Sequence, residues 1–150
     1  ELIIHPRVQT DFYKNTPNLS MFAYGERNSA CPVCYNGDIF SAEDYSKVRE
    51  RFPQTDTFML GRGILENPFL VGELTGDIEG EEDMEMFWAF HDEVYRGYQE
   101  LSMGNKNVLF KMKELWCYMG KLFPGREKTL KKIRKAESPR SYEAALAELR

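Results

Sequence analysis

The stretch Thr57-Phe58-Met59-Leu60-Gly61-Arg62-Gly63 carries the pattern that decides the predicted fold: a short apolar run stops abruptly at glycine and charge. The pattern occurs twice before it, where Leu2-Ile3-Ile4 precedes His5-Pro6-Arg7 and Pro32-Val33-Cys34-Tyr35 precedes Asn36-Gly37-Asp38. The residues that directly follow the three runs, His5, Asn36 and Gly61, are 31 and 25 positions apart. Each interval is long enough for about one helix and one strand. Short apolar runs without strict alternation are typical of strands buried on both faces of a parallel sheet. Residues 1–75 are therefore predicted to form three successive βα units.

Two helices are predicted between these strands. Ser41 and Asp44 form a Ser-x-x-acid start, and Pro53 ends that helix. Between the first two strands, Thr16 is the predicted N-cap of a helix over residues 17–24.

An acidic, irregular stretch over residues 73–85 separates this part from a helical remainder. Beyond it, apolar residues recur at helical spacing in four segments, which predict a four-helix, bundle-like domain over residues 76–150. The predicted fold class is therefore α/β plus all-α. The four stripes are Met84, Phe87, Trp88, His91, Val94, Tyr95, Tyr98 and Leu101; Val108, Met112, Leu115, Trp116, Met119 and Leu122; Leu130 and Ile133; and Ser141, Tyr142, Ala145, Leu146 and Leu149.

The composition excludes several classes of protein. With 42% hydrophobic and 29% charged residues among 150, the chain is not a disordered or low-complexity segment. No apolar run approaches ~18 residues and the N-terminus lacks the regions of a signal peptide, so no membrane association is predicted. Three cysteines do not make a disulfide framework, which favours a reducing, cytoplasmic location. Because the chain begins with Glu1 and a strand-like run, we expect it to be part of a longer protein.

The net charge of −4 hides an uneven distribution. Residues 1–103 hold 8 Lys and Arg against 19 Asp and Glu, whereas residues 104–150 hold 12 against 5. A basic C-terminal third on an acidic chain suggests a polyanionic partner for that part, the alternative being a solvated, lysine-rich helix face.

The loops after the three strands carry residues suited to a phosphate group. In a parallel β/α array, ligands bind at the C-terminal ends of the strands. Glycines at 37, 61 and 63 allow a ligand to approach main-chain N–H groups closely. Arg62 adds a guanidinium fork, and His5 can donate a hydrogen bond. No Gly-x-Gly-x-x-Gly or Walker sequence is present, so neither a dinucleotide site nor a P-loop is predicted.

The Cys31-Pro32-Val33-Cys34 sequence raises the possibility of a zinc or redox site. The other candidate ligands, Cys117, His5 and His91, are unsuitably spaced to complete a zinc site. Because the pair straddles the start of a predicted buried strand, we predict structural thiols and no metal site.

Four sequence elements occur in a specific order. They are His5-Pro6-Arg7 with Tyr13 after it, Asn36-Gly37-Asp38-Ile39, Met59-Leu60-Gly61-Arg62-Gly63 with Asn67-Pro68 after it, and Lys113-Glu114-Leu115-Trp116. In order and spacing they resemble the His-x-Arg…Tyr, Asn-Gly-Asp-Ile, Met-Ile-Gly-Arg-Gly…Asn-Pro and Lys-x-x-Trp elements of the tRNA-dihydrouridine synthases. The likeness covers nearly the whole chain.

The resemblance implies a fold and a cofactor. That family has an FMN-bearing TIM barrel followed by a helical domain that helps hold tRNA. Residues 1–75 would then be the last three βα units of the barrel, and residues 76–150 the tRNA-binding domain. The resemblance further implies that FMN takes hydride from NAD(P)H and passes it to the C5–C6 double bond of uridine. It assigns to the flavin site His5, Asn36, Gly37, Asp38, Gly61 and Arg62.

The resemblance also bears on catalysis and on RNA. The family's catalytic cysteine lies in an Asn-x-Gly-Cys-Pro loop that is expected upstream, so no catalytic residue is expected here and the fragment is expected to be inactive. Cys31 is not assigned that role, since it stands just before the Asn-Gly-Asp element. The residues expected to bind RNA are Arg7, Lys111, Lys113, Tyr118, Lys128, Lys131, Lys132, Arg134 and Lys135.

Two other functions fit the same pattern. One is a different FMN- or phosphate-binding TIM-barrel oxidoreductase acting on a small molecule, and the other is a non-catalytic, RNA-binding helical module. Three parallel strands without the rest of a barrel leave two open edges, so we also expect a second copy to cover them in a dimer.

Overall fold

Three short strands form the only sheet in the part of the chain that the structure, a computed structural model, describes: residues 1–11, 14–78, 84–101 and 104–150. Strands β1 (Leu2–Ile4), β2 (Val33–Asn36) and β3 (Thr57–Met59) are parallel and lie in the order β1-β2-β3. The predicted strands and their parallel arrangement are confirmed.

Four helices accompany the sheet: α1 (Leu19–Asn28), α2 (Ala42–Arg51), α3 (Arg62–Glu66) and α4 (Leu70–Thr75). A 3₁₀ turn, Gln9–Asp11, precedes α1. Helix α2 begins as predicted, because the Ser41 side chain accepts a hydrogen bond from the Asp44 N–H at 3.2 Å. It also ends as predicted, just before Pro53.

The predicted start of α1 is wrong. The N-cap is Asn18 rather than Thr16, and its side-chain oxygen accepts a hydrogen bond from the Met21 N–H at 3.1 Å. The Asn18 N–H in turn donates to the Pro6 carbonyl at 2.7 Å, in the loop after β1. This bond fixes the point where the chain turns into the helix, two residues later than the sequence suggests.

The sheet packs against helices on one face. The buried cluster consists of Phe22, Tyr35, Ile39, Val48 and Phe52, with the Phe22 and Tyr35 rings edge-to-face at 4.9 Å. Alternate positions on the strands pack against this cluster, namely Ile4, Val33 and Phe58.

The opposite face of the sheet is only partly buried in this chain. The pleat turns Ile3, Cys34 and Met59 to the opposite face, because side chains alternate along a strand. Ile3 and Met59 are 46% and 41% exposed, while Cys34 on the central strand is buried. We call the exposed pair on this side, Ile3 and Met59, the uncovered face; the helices of the buried cluster pack on the other side of the sheet.

Four further helices follow among the described residues, as predicted: α5 (Met84–Glu100), α6 (Asn105–Met119), α7 (Glu127–Lys135) and α8 (Pro139–Ala147). A 3₁₀ turn, Gly120–Leu122, continues α6. Residues of each predicted stripe are buried, among them Phe87, Trp116 and Ile133. Ser141 is exposed instead, because its side chain forms a capping box with Ser138 at the start of α8.

The chain divides into two compact units. The sheet unit comprises Glu1–Ile64 and Phe69–Ile78, and the helical unit comprises Leu65–Pro68 and Glu79–Arg150. Within the described ranges, no helix is both long and apolar enough to cross a membrane.

Candidate anion-binding pocket and basic helices

The loops that follow the three strands enclose a pocket of about 260 Å³ in the sheet unit. All six residues that the sequence assigns to a flavin site line it. The pocket is lined by His5, Asn36, Gly37, Asp38, Ile39, Phe40, Met59, Leu60, Gly61, Arg62 and Gly63. Tyr13, which belongs to the first sequence element, lies outside the described residues.

The glycines that line this pocket have different structural roles. A Cβ on Gly63 would collide with the Ile39 carbonyl oxygen, and one on Gly37 would collide with the Tyr35 hydroxyl. These two glycines therefore allow the loops to pack against the protein itself, rather than to approach a ligand as their sequence pattern suggests. A Cβ on Gly61 would meet no atom within 4 Å, so the close approach of a ligand remains possible there.

Two arginines bind the Asp38 carboxylate at the pocket. Arg7 donates to both of its oxygens, at 2.8 Å and 2.5 Å, and Arg62 Nη2 donates to Oδ1 at 2.6 Å. The Arg7 guanidinium also donates to the Asn15 carbonyl, with Nε at 3.0 Å. The Arg62 guanidinium lies 5.4 Å from the centre of the Phe40 ring.

The charges of this cluster favour an anion. The hydrogen bond from Arg7 lowers the pKa of Asp38 against the opposing effect of burial, so the carboxylate is ionised at neutral pH. The same hydrogen bond raises the pKa of Arg7. The three groups together carry one net positive charge, and the nearby Asp11 carboxylate also raises the pKa of Arg7.

The buried position of Arg7 does not fit the RNA contact expected of it. Its side chain is 4% exposed and its donors face Asp38 and the Asn15 carbonyl. The cluster was not predicted from the sequence, because it depends on the register between β1 and β2. Ile4 pairs with Tyr35 across β1 and β2, so Arg7 and Asp38 stand at equal distances beyond paired residues.

The basic residues of the helical unit that were expected to bind RNA fall into two groups. Lys113 donates to the Ala136 carbonyl at the end of α7, at 2.6 Å, and Lys132 donates to both carboxylate oxygens of Glu148 at 2.7 and 2.8 Å. Lys111 pairs with Glu114 at 3.4 Å. The other group is exposed and makes no ion pair within the described residues: Lys128, Lys131, Arg134 and Lys135.

A groove of about 640 Å³ runs between α7 and α8. One side carries Lys128, Lys131, Lys132 and Lys135, and the other carries Ser141, Ala144, Ala145 and Glu148. Tyr118 is half-buried on α6 and does not line this groove. Of the residues expected to bind RNA, the four lysines of α7 thus share one surface.

The three cysteines are free thiols: Cys31 and Cys117 are exposed and Cys34 is buried. Burial raises the pKa of the Cys34 thiol, which keeps it protonated. Among the residues that the structure describes, no group of three or more His, Cys, Asp or Glu side chains is arranged to hold a metal ion.

Comparison with known proteins gives a consistent set of relatives. The model of the dihydrouridine synthase family matches residues 1–148. A protein of Pseudomonas syringae pv. tomato called tRNA-dihydrouridine(16) synthase is 32% identical over 89 residues, which are 59% of this chain and 28% of that protein.

Two further relatives bear the same name. The protein of Aquipseudomonas alcaligenes is 29% identical over 89 residues, and that of Pseudomonas putida is 30% identical over 91 residues. The matched segments are 59% and 61% of this chain, and 28% and 27% of the two relatives. The chain therefore matches less than a third of the length of these curated relatives.

Proposed function

Since the chain belongs to the dihydrouridine synthase family, we propose that the protein it forms part of reduces uridine to 5,6-dihydrouridine in tRNA. The observation that carries this proposal is the pocket at the carboxyl ends of three parallel strands. Ligands of parallel β/α folds bind at this end of the sheet, and phosphate groups bind after the last strands of TIM barrels. We propose accordingly that residues 1–75 are the last three βα units of such a barrel.

We propose FMN as the ligand of this pocket, with its phosphate bound by Asn36, Gly37, Gly61 and Arg62 and its flavin contacted by His5. The pocket fits a phosphate because residues that carry hydrogen-bond donors line it, Gly61 leaves open space, and two arginines accompany the single Asp38 carboxylate. Bound FMN would supply the hydride transfer, with NAD(P)H as the reductant. The chain's own residues would bind and orient the cofactor. The family's catalytic cysteine is not assigned to any residue of this chain.

We propose the lysines of the α7–α8 groove as the tRNA contact in the helical unit. Lys128, Lys131 and Lys135 are exposed and lie along one side of the groove. Phosphate contacts of this kind provide affinity and hold the substrate in register, but they carry no sequence information. A cytoplasmic location follows from the proposed substrate.

The activity can be tested through the dihydrouridine content of tRNA. We expect tRNA from a strain lacking the gene to lose dihydrouridine at one or more positions, and we expect the intact gene to restore it. Sequencing the tRNA would identify the position. Unchanged dihydrouridine in the deletion strain would contradict the proposal and favour an oxidoreductase that acts on a small molecule.

The cofactor site can be tested with Arg62→Ala in the whole protein. We expect FMN to bind about tenfold more weakly, because a charge-assisted phosphate contact is lost. Lys47→Ala is the matched control, since Lys47 is an exposed cation of the same unit that pairs with Glu43 on α2. Equal flavin affinity of the wild-type and Arg62→Ala proteins would contradict the assignment.

The 150-residue chain alone is expected to hold no stoichiometric flavin. Only part of a barrel site is proposed to lie in residues 1–75, so contacts to the flavin ring are incomplete. A purified preparation with one FMN per chain, measured by absorbance, would contradict this expectation. We also propose that the isolated chain pairs with a second copy across the uncovered face.

A further inference from the structure

The Asp38 carboxylate poses an electrostatic problem for the proposed phosphate site. It lines the same pocket as Asn36, Gly61 and Arg62, and its lowered pKa keeps it negatively charged at neutral pH. A carboxylate in direct contact with a phosphate would repel it. Asp38 must therefore serve a purpose other than direct contact if the pocket holds an anion.

The hydrogen bonds of Asp38 indicate that purpose. Both of its carboxylate oxygens accept from arginines: Oδ2 from Arg7, and Oδ1 from Arg7 and Arg62. Planar guanidinium groups match a carboxylate in this way, and the geometry fixes the plane of each group. Asp38 thus joins the loop after β1 to the start of α3.

The two arginines are held differently. Arg7 is buried, and the Asn15 carbonyl holds the side of its guanidinium away from Asp38. Arg62 is 30% exposed, and its guanidinium lies over the Phe40 ring. Arg7 is therefore the anchor of the cluster, while Arg62 is the cation that can also reach a ligand in the pocket.

Resting on the proposed function, we propose that Asp38 is a positioning residue: anchored by Arg7, it orients the Arg62 guanidinium toward the phosphate and does not touch the phosphate itself. Without this carboxylate, Arg62 keeps its charge and its contact with the Phe40 ring but loses the hydrogen bond that fixes the plane of its guanidinium. Binding then costs more, because a long side chain must be ordered at the moment of association.

This inference and simple charge counting predict opposite results for Asp38→Asn. The substitution removes a negative charge beside the pocket, so charge counting alone predicts tighter binding of an anion. If Asp38 orients Arg62, the same substitution weakens binding although the pocket becomes more positive. The direction of the change therefore distinguishes the two explanations.

The experiment titrates the chain with FMN and, separately, with riboflavin, which lacks the phosphate. Binding is followed by the NMR shifts of the Gly37 and Gly61 amides, which report weak affinities. We expect the wild-type chain to prefer FMN and Asp38→Asn to reduce that preference by about fivefold to tenfold. Equal or tighter FMN binding by Asp38→Asn would overturn the inference. Equal affinity of the wild-type chain for FMN and riboflavin would overturn the proposed phosphate site, and the inference with it.

A double-mutant cycle separates positioning from a purely structural effect. If Asp38 acts through Arg62, Asp38→Asn causes no further loss of FMN preference in a chain that already carries Arg62→Ala. An equal loss in both backgrounds would overturn the inference.

A second variant leaves the Arg7–Asp38 pair intact and so covers the case in which Asp38→Asn does not fold. Arg62→Lys keeps the charge but lacks the planar fork that Asp38 can orient. We expect it to lose most of the FMN preference. Full retention of the preference would overturn the inference.

Discussion

The Tyr142 hydroxyl joins three helices of the helical unit. It accepts a hydrogen bond from Trp116 Nε1 at 2.8 Å and lies 2.9 Å from His91 Nε2, and all three side chains are fully buried. The Asp92 carboxylate lies 2.9 Å from Nδ1 and can only accept, so His91 carries a hydrogen on Nδ1. In neutral His91, Nε2 therefore accepts the hydrogen of the Tyr142 hydroxyl.

Tyr142→Phe is expected to destabilise the helical unit by about 2 kcal/mol, because it leaves two buried polar nitrogens without partners. Urea unfolding followed by tryptophan fluorescence measures this loss. Tyr98→Phe serves as the control, since Tyr98 is half-buried and outside this network. Similar stabilities of the two variants would contradict the importance of the shared hydroxyl.

Stability is also expected to fall in mild acid. Burial lowers the pKa of His91, against the opposing effect of its bond to Asp92. Below a pH of about 6.5, His91 therefore binds a proton in the unfolded chain but not in the folded chain. The loss begins near that pH, grows as the pH falls, and stops once the folded-state pKa is passed.

The groups around His91 include Asp92, Tyr142 and, through Asp92, Arg150, together with the rings of Trp88, Tyr95 and Trp116. A second proton on the ring would point a donor at the Tyr142 hydroxyl, whose own hydrogen would then lose its acceptor. Unfolding measured at several pH values between 7 and 5 tests the expectation against His91→Gln. A slope against pH that is the same in both chains would contradict it.

At the scale of elements, both ends of α7 are bonded to neighbouring helices. Lys113 of α6 donates to the Ala136 carbonyl at the C-terminal end of α7, and Arg126, at the start of α7, donates to the Glu148 carbonyl at the end of α8 at 2.8 Å. Cations at helix C-termini are stabilised by the unpaired carbonyls there. Lys113 therefore fixes the basic helix in place, whereas the sequence suggested that it contacts RNA directly.

Glu148 is expected to limit the number of lysines that reach tRNA. In the whole protein, Lys131→Gln should reduce the slope of log affinity against log salt by about 0.7–0.9, the value for one phosphate contact. Glu148→Gln should steepen the slope by a similar amount, because it releases Lys132. Filter binding of tRNA at several salt concentrations measures both changes.

A charge-neutral variant provides the control. Replacing both Lys132 and Glu148 with Gln removes their ion pair without changing the net charge, and it is expected to leave the slope unchanged. Unaltered slopes in Lys131→Gln and Glu148→Gln would indicate that the groove is only a solvated helix face.

The elements themselves were predictable for a physical reason. Strands and helices follow from local patterns of apolar residues, so β2, α2 and the stripe of α6 were found at or near their places. The first N-cap was missed because the cap at Asn18 depends on a bond to Pro6, twelve positions earlier. The ion pairs of Asp38 were missed because they depend on which loops meet across the sheet.

At the scale of the whole molecule, the sequence did not decide which residue of each apolar run packs against the helices. A short apolar run such as Leu2–Ile4 has the same sequence pattern whether one or both faces of its strand are covered. In the structure, helices cover the side of Ile4, while Ile3 and Met59 remain largely exposed. Both edge strands, β1 and β3, also carry main-chain groups without a neighbouring strand in the described sheet.

Apolar side chains and open strand edges on one surface favour association, because both are templates for a second copy. We therefore expect the isolated chain to dimerise through residues 1–75, burying well above ~1,000 Å². Ile3→Glu should shift the chain to monomer, since a dimer would bury the new charge. Light scattering over a range of concentrations measures the mass, with Phe110→Glu as the control on an exposed apolar residue of α6. A wild-type chain that is monomeric at every concentration, with residues 1–75 protected from hydrogen exchange, would contradict the dimer.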